Sequence, residues 1–185
     1  MAIDPRAAVP SITQTFGHKN LKDATETNVA VVALGVACGS LVSVDALGDV
    51  CVWHVTDGKF AVFRTISLGQ RIEAGHVWGS AAVAAGHQDI FAVDVSDHSL
   101  PEAQVRKIGP LSRSSTGSVR VAQGMILVGD GSGSVHAYRF DDGRFLRCTP
   151  IHSDCARCVR VMGSRLVTVS WDKTVAITAM NPPSQ

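Results

Sequence analysis

Large aromatic rings are scarce in this chain: Phe, Trp and Tyr make up only 5% of its 185 residues, with a single Tyr. A packed interior must therefore be built mainly from Val, Ala, Ile and Leu. Charge is also sparse, at 18%, which excludes the charge-rich, apolar-poor composition of a disordered chain. Nor does one sign prevail. Seventeen Lys and Arg stand against 16 Asp and Glu, so no global field draws the protein to nucleic acid or an anionic membrane. No apolar run reaches the roughly 18 residues of a spanning helix. The nearest candidate, from Asn28 to Val44, is interrupted by Gly35, Gly39, Ser40 and Ser43. Met1 to Pro10, with Asp4 and Pro5, lacks the apolar core of a secretory signal. These absences lead to an expectation of a cytoplasmic protein, with the nucleus as the alternative.

Cysteine is neither abundant nor even in number. Five thiols, Cys38, Cys51, Cys148, Cys155 and Cys158, in a chain long enough to bury a core favour reduced, mostly buried side chains over a disulfide framework. Cys155 and Cys158 form a lone CxxC, and with Cys148 and His152 they make a formal four-ligand set for zinc. Against that reading, residues three apart on a strand point to opposite faces. A metal or redox role for this cluster is the weakest of the functional alternatives, and no cofactor is expected.

What the chain does have is an internal repeat. Leu41 to Val55, Ala81 to Val95, Ile126 to Phe140 and Leu166 to Met180 share one layout: an apolar β-rich run, a polar or Gly-containing turn, and a second alternating run. The four segments align without a gap, and their starts lie 40, 45 and 40 residues apart. Both faces of the second run carry apolar groups, as in Val50, Val52 and His54 against Cys51, Trp53 and Val55. A strand of that kind is sandwiched between neighbours. Short Val- and Ala-rich runs precede the segments, at Asn28 to Val36, Val77 to Ala82, Gly117 to Ala122 and Ala156 to Met162. Phe60 to Leu68, Val105 to Ile108 and Phe145 to Thr149 follow three of them, two after Asp-Gly turn signals at Asp57-Gly58 and Asp142-Gly143. No segment shows a helical stripe. The pattern predicts an all-β chain of four four-stranded antiparallel units. A pair of β-sandwich sheets is the alternative, and the repeat period favours a propeller.

The fourth copy resembles the WD40-repeat family of β-propellers. It reads His152-Ser153-Asp154, then Val159-Arg160-Val161, Leu166 to Ser170, and Asp172-Lys173-Thr174-Val175. The resemblance implies a hydrogen-bonded group of a loop His, a strand Ser or Thr, a turn Asp and a strand Trp. His152, Ser170 and Asp172 match three of these, and Thr178 stands at the Trp position. In the first copy Trp53 takes the Trp position, while Leu47 replaces the turn Asp. Tyr138 and Val93 replace the Trp in the third and second copies. Such a group joins a loop to a turn, so it implies a structural role for His152 and Asp172, not a catalytic one.

The expected organisation is an N-terminal tail over residues 1–10, a four-blade propeller over 11–180, and a C-terminal tail over 181–185. The fourth copy has no room for an outer strand before Asn181, whereas Ser11 to Phe16 is an alternating β-favouring run ahead of the first copy. If Ile12 to Phe16 completes the last blade, the ring closes within one chain. Two chains could equally exchange these strands and close an eight-bladed ring, or a half ring could complete one on a larger partner.

No motif points to catalysis. Gly131-Ser132-Gly133-Ser134 lacks the Lys and helix of a phosphate loop and reads as a turn, and no Ser sits in a nucleophile elbow. The expectation is a non-catalytic scaffold or adaptor that mediates protein–protein contacts in a complex, with a homodimer among the possible forms. RNA binding through Arg-bearing loops is the alternative. Candidate contact residues are those in turns the framework does not need: Arg71, His76, Trp78, Arg113, Arg157 and Trp171. Trp171, flanked by Ser170 and Asp172, is the strongest candidate anchor.

Overall fold

The computed structural model describes residues 29–57, 59–96, 104–111 and 115–180. These residues form fifteen strands and no helix, and hence no helix long and apolar enough to cross a membrane. The strands fall into four antiparallel sheets, one for each sequence repeat. Blade 1 is β1 (Val31–Ala37), β2 (Ser40–Asp45), β3 (Asp49–Thr56) and β4 (Lys59–Ser67). Blade 2 is β5 (Ile72–Trp78), β6 (Ala81–Gly86), β7 (Asp89–Asp94) and β8 (Val105–Pro110). Blade 3 is β9 (Thr116–Ala122), β10 (Met125–Asp130), β11 (Ser134–Arg139) and β12 (Phe145–Pro150). Blade 4 has β13 (Ala156–Met162), β14 (Arg165–Ser170) and β15 (Val175–Ala179). The candidate closing strand Ile12 to Phe16 lies outside the described residues.

Each fifteen-residue segment becomes the second and third strands of its blade, joined by the turn the sequence marks. The run at Val77 to Ala82 does not form the inner strand of blade 2. Trp78 ends β5 and a turn follows, with Gly79 at a φ of +60°, so the inner strand lies earlier, over Ile72–Trp78. Apolar character alone could not place that boundary, because the run continues across the turn.

The repeat extends to irregularities invisible in the sequence. Every inner strand carries a register shift near its start, which skips Val32, Glu73, Gly117 and Arg157 in turn. A β-bulge re-aims the skipped residue, and all four line the axis of the assembly. The eighth position of the first and third segments shares a turn glycine. Gly48 and Gly133 adopt positive φ, and a Cβ on them would stand 2.1 Å from the Gln70 carbonyl oxygen and 2.3 Å from that of His152. Only glycine lets the turn of one blade approach the segment entering the next so closely.

Packing runs in order from blade to blade. β1 packs on β5, β5 on β9, and β9 on β13; no comparable contact joins a strand of blade 4 to a strand of blade 1 among the described residues. Three apolar clusters fill the three intervals. Val42, Val44 and Val50 meet Ile72, Ala82 and Ala84; Val83, Ala85 and Ile90 meet Val119, Val121 and Ile126; Met125, Leu127 and Val135 meet Val159 and Leu166. The second strands of blades 2 and 3 are buried along their whole length, as a strand covered on both faces must be. In β14 burial alternates instead.

Candidate functional site

The entry to blade 4 is held by a polar lock. His152 Nε2 lies 2.8 Å from the Thr168 hydroxyl, and its Nδ1 lies 3.1 Å from Asp172 Oδ2 and 2.9 Å from the Thr174 hydroxyl. Asp172 also accepts the Ser153 and Thr174 amide N–H groups. The Thr174 hydroxyl bond and these amide bonds, with the imidazole beside them, hold the Asp172 carboxyl well below the usual carboxylate range. The second-strand hydroxyl on the ring is Thr168, not Ser170. Ser170 sits at the strand end, where its Oγ donates to the Asp154 carbonyl and accepts the Asp172 N–H. Residues two apart share a strand face, so alternation in the sequence could not choose between them. Thr178 lies opposite Leu166 in the ladder and has no hydrogen bond to this group among the described residues.

Related pieces recur in the other blades. Ser43, equivalent to Thr168, accepts the Trp53 indole N–H at 2.7 Å, so blade 1 keeps the Trp–hydroxyl half of the group. Leu47 stands at the position of Asp172, and the acid of this turn is Asp45, two residues earlier, which accepts the Leu47 and Asp49 amides. In blade 3, Asp130 accepts the Ser132 and Ser134 amides, and its other oxygen lies 2.8 Å from His136 Nε2. In both turns the acid is the last residue of the second strand, two residues before the position that Asp172 occupies in blade 4.

The candidate contact residues divide between the two ends of the blades. Arg71 precedes β5, Arg157 begins β13, and Trp171 follows β14, so all three lie at the end where the inner strands start. Trp171 is 62% exposed, with the Arg157 guanidinium 4.8 Å from its ring centre, a cation–π contact. Trp78 ends β5 at the opposite end, edge-on to Phe140. Arg113 lies outside the described residues.

His76 is not on a loop. It lies on β5, facing a cavity of about 270 Å³ at the axis of the assembly, onto which all four inner strands look. Its Nε2 is 2.6 Å from Arg120 Nη1, and its Nδ1 is 3.2 Å from the Val121 amide nitrogen. Burial, then the charges of Arg120 and Arg160, lower the imidazole pKa to about 4, so the ring is neutral at pH 7. Arg120 and Arg160 were not among the candidate contact residues read from the sequence. The signal was present: each occupies the register position of His76 on its own inner strand, opposite the second-strand residues Leu127 and Val167 as His76 is opposite Val83.

The four sulfur and imidazole groups of the formal zinc set are held apart by other partners. Cys148 Sγ is 3.9 Å from His136 Nε2, while His152 is engaged with Thr168, Asp172 and Thr174. Cys155 is buried, and Cys158 faces the axial cavity. All five cysteines are free, and no three His, Cys, Asp or Glu side chains converge among the described residues.

The blade stacking and inner-strand axis define a four-blade β-propeller fold. The chain is similar in structure to the computationally designed Ika4 protein, with a TM-score of 0.67 and 16% identity over 83% of this chain and 92% of that one. At the same TM-score and identity it is similar to the designed Ika8 protein and to the β-propeller domain of Cps50 (Swd1) from Myceliophthora thermophila, covering 84% of this chain in each case. The match spans 47% of the Ika8 chain and 53% of the Swd1 chain, about half of each. No family model matches the chain, and no curated protein matches it in sequence. Likeness at this level of identity concerns the fold.

Proposed function

We propose that the chain is a non-catalytic scaffold subunit that holds other proteins in a complex, chiefly through the outward face of its last blade. The observation that carries this reading is the exposure of Val175 and Ile177, at 64% and 61%, on the side of blade 4 turned away from blade 3. Val169 and Met162 extend the same apolar face. A contiguous apolar patch on a rigid sheet marks an interaction surface. Trp171 with Arg157 over its ring offers an anchor at the adjoining end.

A second copy of the chain fits this face. Blade 1 exposes Leu34 and Val36 on its own outward side, and the arc covers about half of two longer propeller chains. Blade 4 of one copy against blade 1 of the other, repeated about a two-fold axis, gives a closed eight-bladed ring. A different protein supplying the missing blades would use the same surfaces. Five free thiols favour a reducing compartment, in keeping with a cytoplasmic or nuclear setting.

Mass by light scattering, on the purified chain and on the native complex fractionated from cells, tests the reading. The expected mass exceeds the chain's own 19.5 kDa, and replacing Val175 and Ile177 with Lys returns it to that value. A chain at 19.5 kDa in both preparations, or an assembly that survives the double substitution, would overturn the use of this face.

A further inference from the structure

We propose that the axial cavity is a binding site for a small phosphate-bearing anion, held by Arg120, Arg157 and Arg160 with His76 at its wall. The first ground is a surplus of hydrogen-bond donors. A neutral imidazole has one acceptor nitrogen and one N–H. Both ring nitrogens of His76 nevertheless face donors, the Arg120 guanidinium on one side and the Val121 N–H on the other. One of these two donors therefore meets an N–H and goes unsatisfied in either tautomer. Arg120 Nε is also buried with no partner. A buried donor left unmade is costly, so the cluster is short of an acceptor.

The second ground is charge. Arg157 and Arg160 line the cavity, and neither they nor Arg120 has a carboxylate at ion-pair distance among the described residues. The one acid on the wall, Glu73, is already committed: its carboxylate accepts the Thr116 N–H and stands 3.9 Å from His87. Two guanidiniums thus line the concave space, with that of Arg120 against its His76 wall, and the single carboxylate of Glu73 leaves positive charge in excess. Planar N–H forks suit the oxygens of a phosphate group, which can accept from two of them at once.

The third ground is size and placement. A volume of about 270 Å³ is near the lower end of small-molecule sites. Arg120 and Arg160 share one register position on successive inner strands, and Arg157 occupies the bulge nearer the Trp171 end. The chain thus presents one charged layer within the cavity and one arginine at its mouth. An entering phosphate would take the N–H groups of Arg120 that His76 cannot satisfy, while Arg157 can meet it without leaving the inner-strand end.

Isothermal titration of the full-length chain with pyrophosphate at low ionic strength tests the site. The expected result is saturable binding at one site per chain, weakened about tenfold by Arg160→Gln and by Arg120→Gln, as loss of a charge-assisted contact predicts. Arg165→Gln, an exposed arginine at the far end of blade 4, leaves affinity unchanged. Arg160 is exposed, so its variant folds even if Arg120→Gln does not. Competition by orthophosphate identifies the free ion as sufficient, and stronger competition by adenosine monophosphate identifies a phosphate ester as the better occupant; either supports the site. Failure to saturate, equal loss in Arg165→Gln, or displacement of pyrophosphate by a single-stranded RNA acting through the same arginines would overturn it.

Discussion

Val135 in blade 3 and Val175 in blade 4 are the same residue at the same position of the repeat, yet one is 3% exposed and the other 64%. Their neighbours behave alike: Ala137 is 2% exposed and its counterpart Ile177 is 61%. Both valines lie at the start of a third strand, within its first two residues, and both pair with the second strand of their blade. The difference is the next blade. Blade 3 is covered by β13 and β14, whereas nothing among the described residues covers the corresponding face of blade 4. Local sequence decides that a face is apolar; position along the arc decides whether it is core or interface.

The sharpest way to break this comparison is to remove volume where coverage is complete. Ile126 is fully buried in the cluster between blades 2 and 3. Ile126→Ala should destabilise the chain by about 2–5 kcal/mol, because the rigid sheets on either side cannot collapse into the space. Urea unfolding followed by circular dichroism measures this. A loss below about 1 kcal/mol would mean that the middle blades are loosely packed and that the contrast with blade 4 is one of degree.

The four repeats, their strand order and their turns were legible because alternation and spacing report directly on a pleated, two-sided strand. Three things were not. The bulges that aim Glu73 and Arg157 at the axis leave no mark in composition, since a skipped residue looks like any other in an alternating run. The choice of Thr168 over Ser170 as the partner of His152 depends on how far a side chain reaches from a strand end, which alternation does not encode. The axial arginines were hidden by the opposite habit, that of looking for contact residues in turns: Arg120 and Arg160 lie within strands, and only stacking four inner strands around one axis brings them near His76.

A smaller effect separates the two kinds of polar lock. His152 has its ring almost wholly buried between Thr168 and Asp172, so His152→Ala strands a hydroxyl and a carboxylate and should cost about 1–3 kcal/mol. The same lock has a pH signature. The folded-state pKa of Asp172 lies below its ordinary 3.8, so the unfolded chain binds the proton more readily. The stabilisation is therefore complete above pH 3.8 and lost as pH falls through the folded value. Asp172→Asn should flatten the acid limb of the stability profile while leaving its slope above pH 5 unchanged, as about one unit above the carboxylate range no longer titrates. An unaltered acid limb would show that the contacts of Asp172 in the folded state persist when the chain unfolds.

The smallest expected effect is the one that tests the comparison most directly. On the isolated chain, Val175→Ala removes methyl groups that already face solvent and should change stability by no more than about 0.5 kcal/mol. Val135→Ala removes the same atoms from the covered face, and its cost should be clearly larger. Measured together under conditions in which the chain is monomeric, the two substitutions hold residue type and register constant and vary only coverage. Repeated on an assembled form, Val175→Ala should move toward the cost of Val135→Ala, because the valine would then be covered by another blade. A Val175→Ala cost that is already large in the monomer would mean that the outward face of blade 4 is satisfied within the chain, and the interface would have to lie elsewhere.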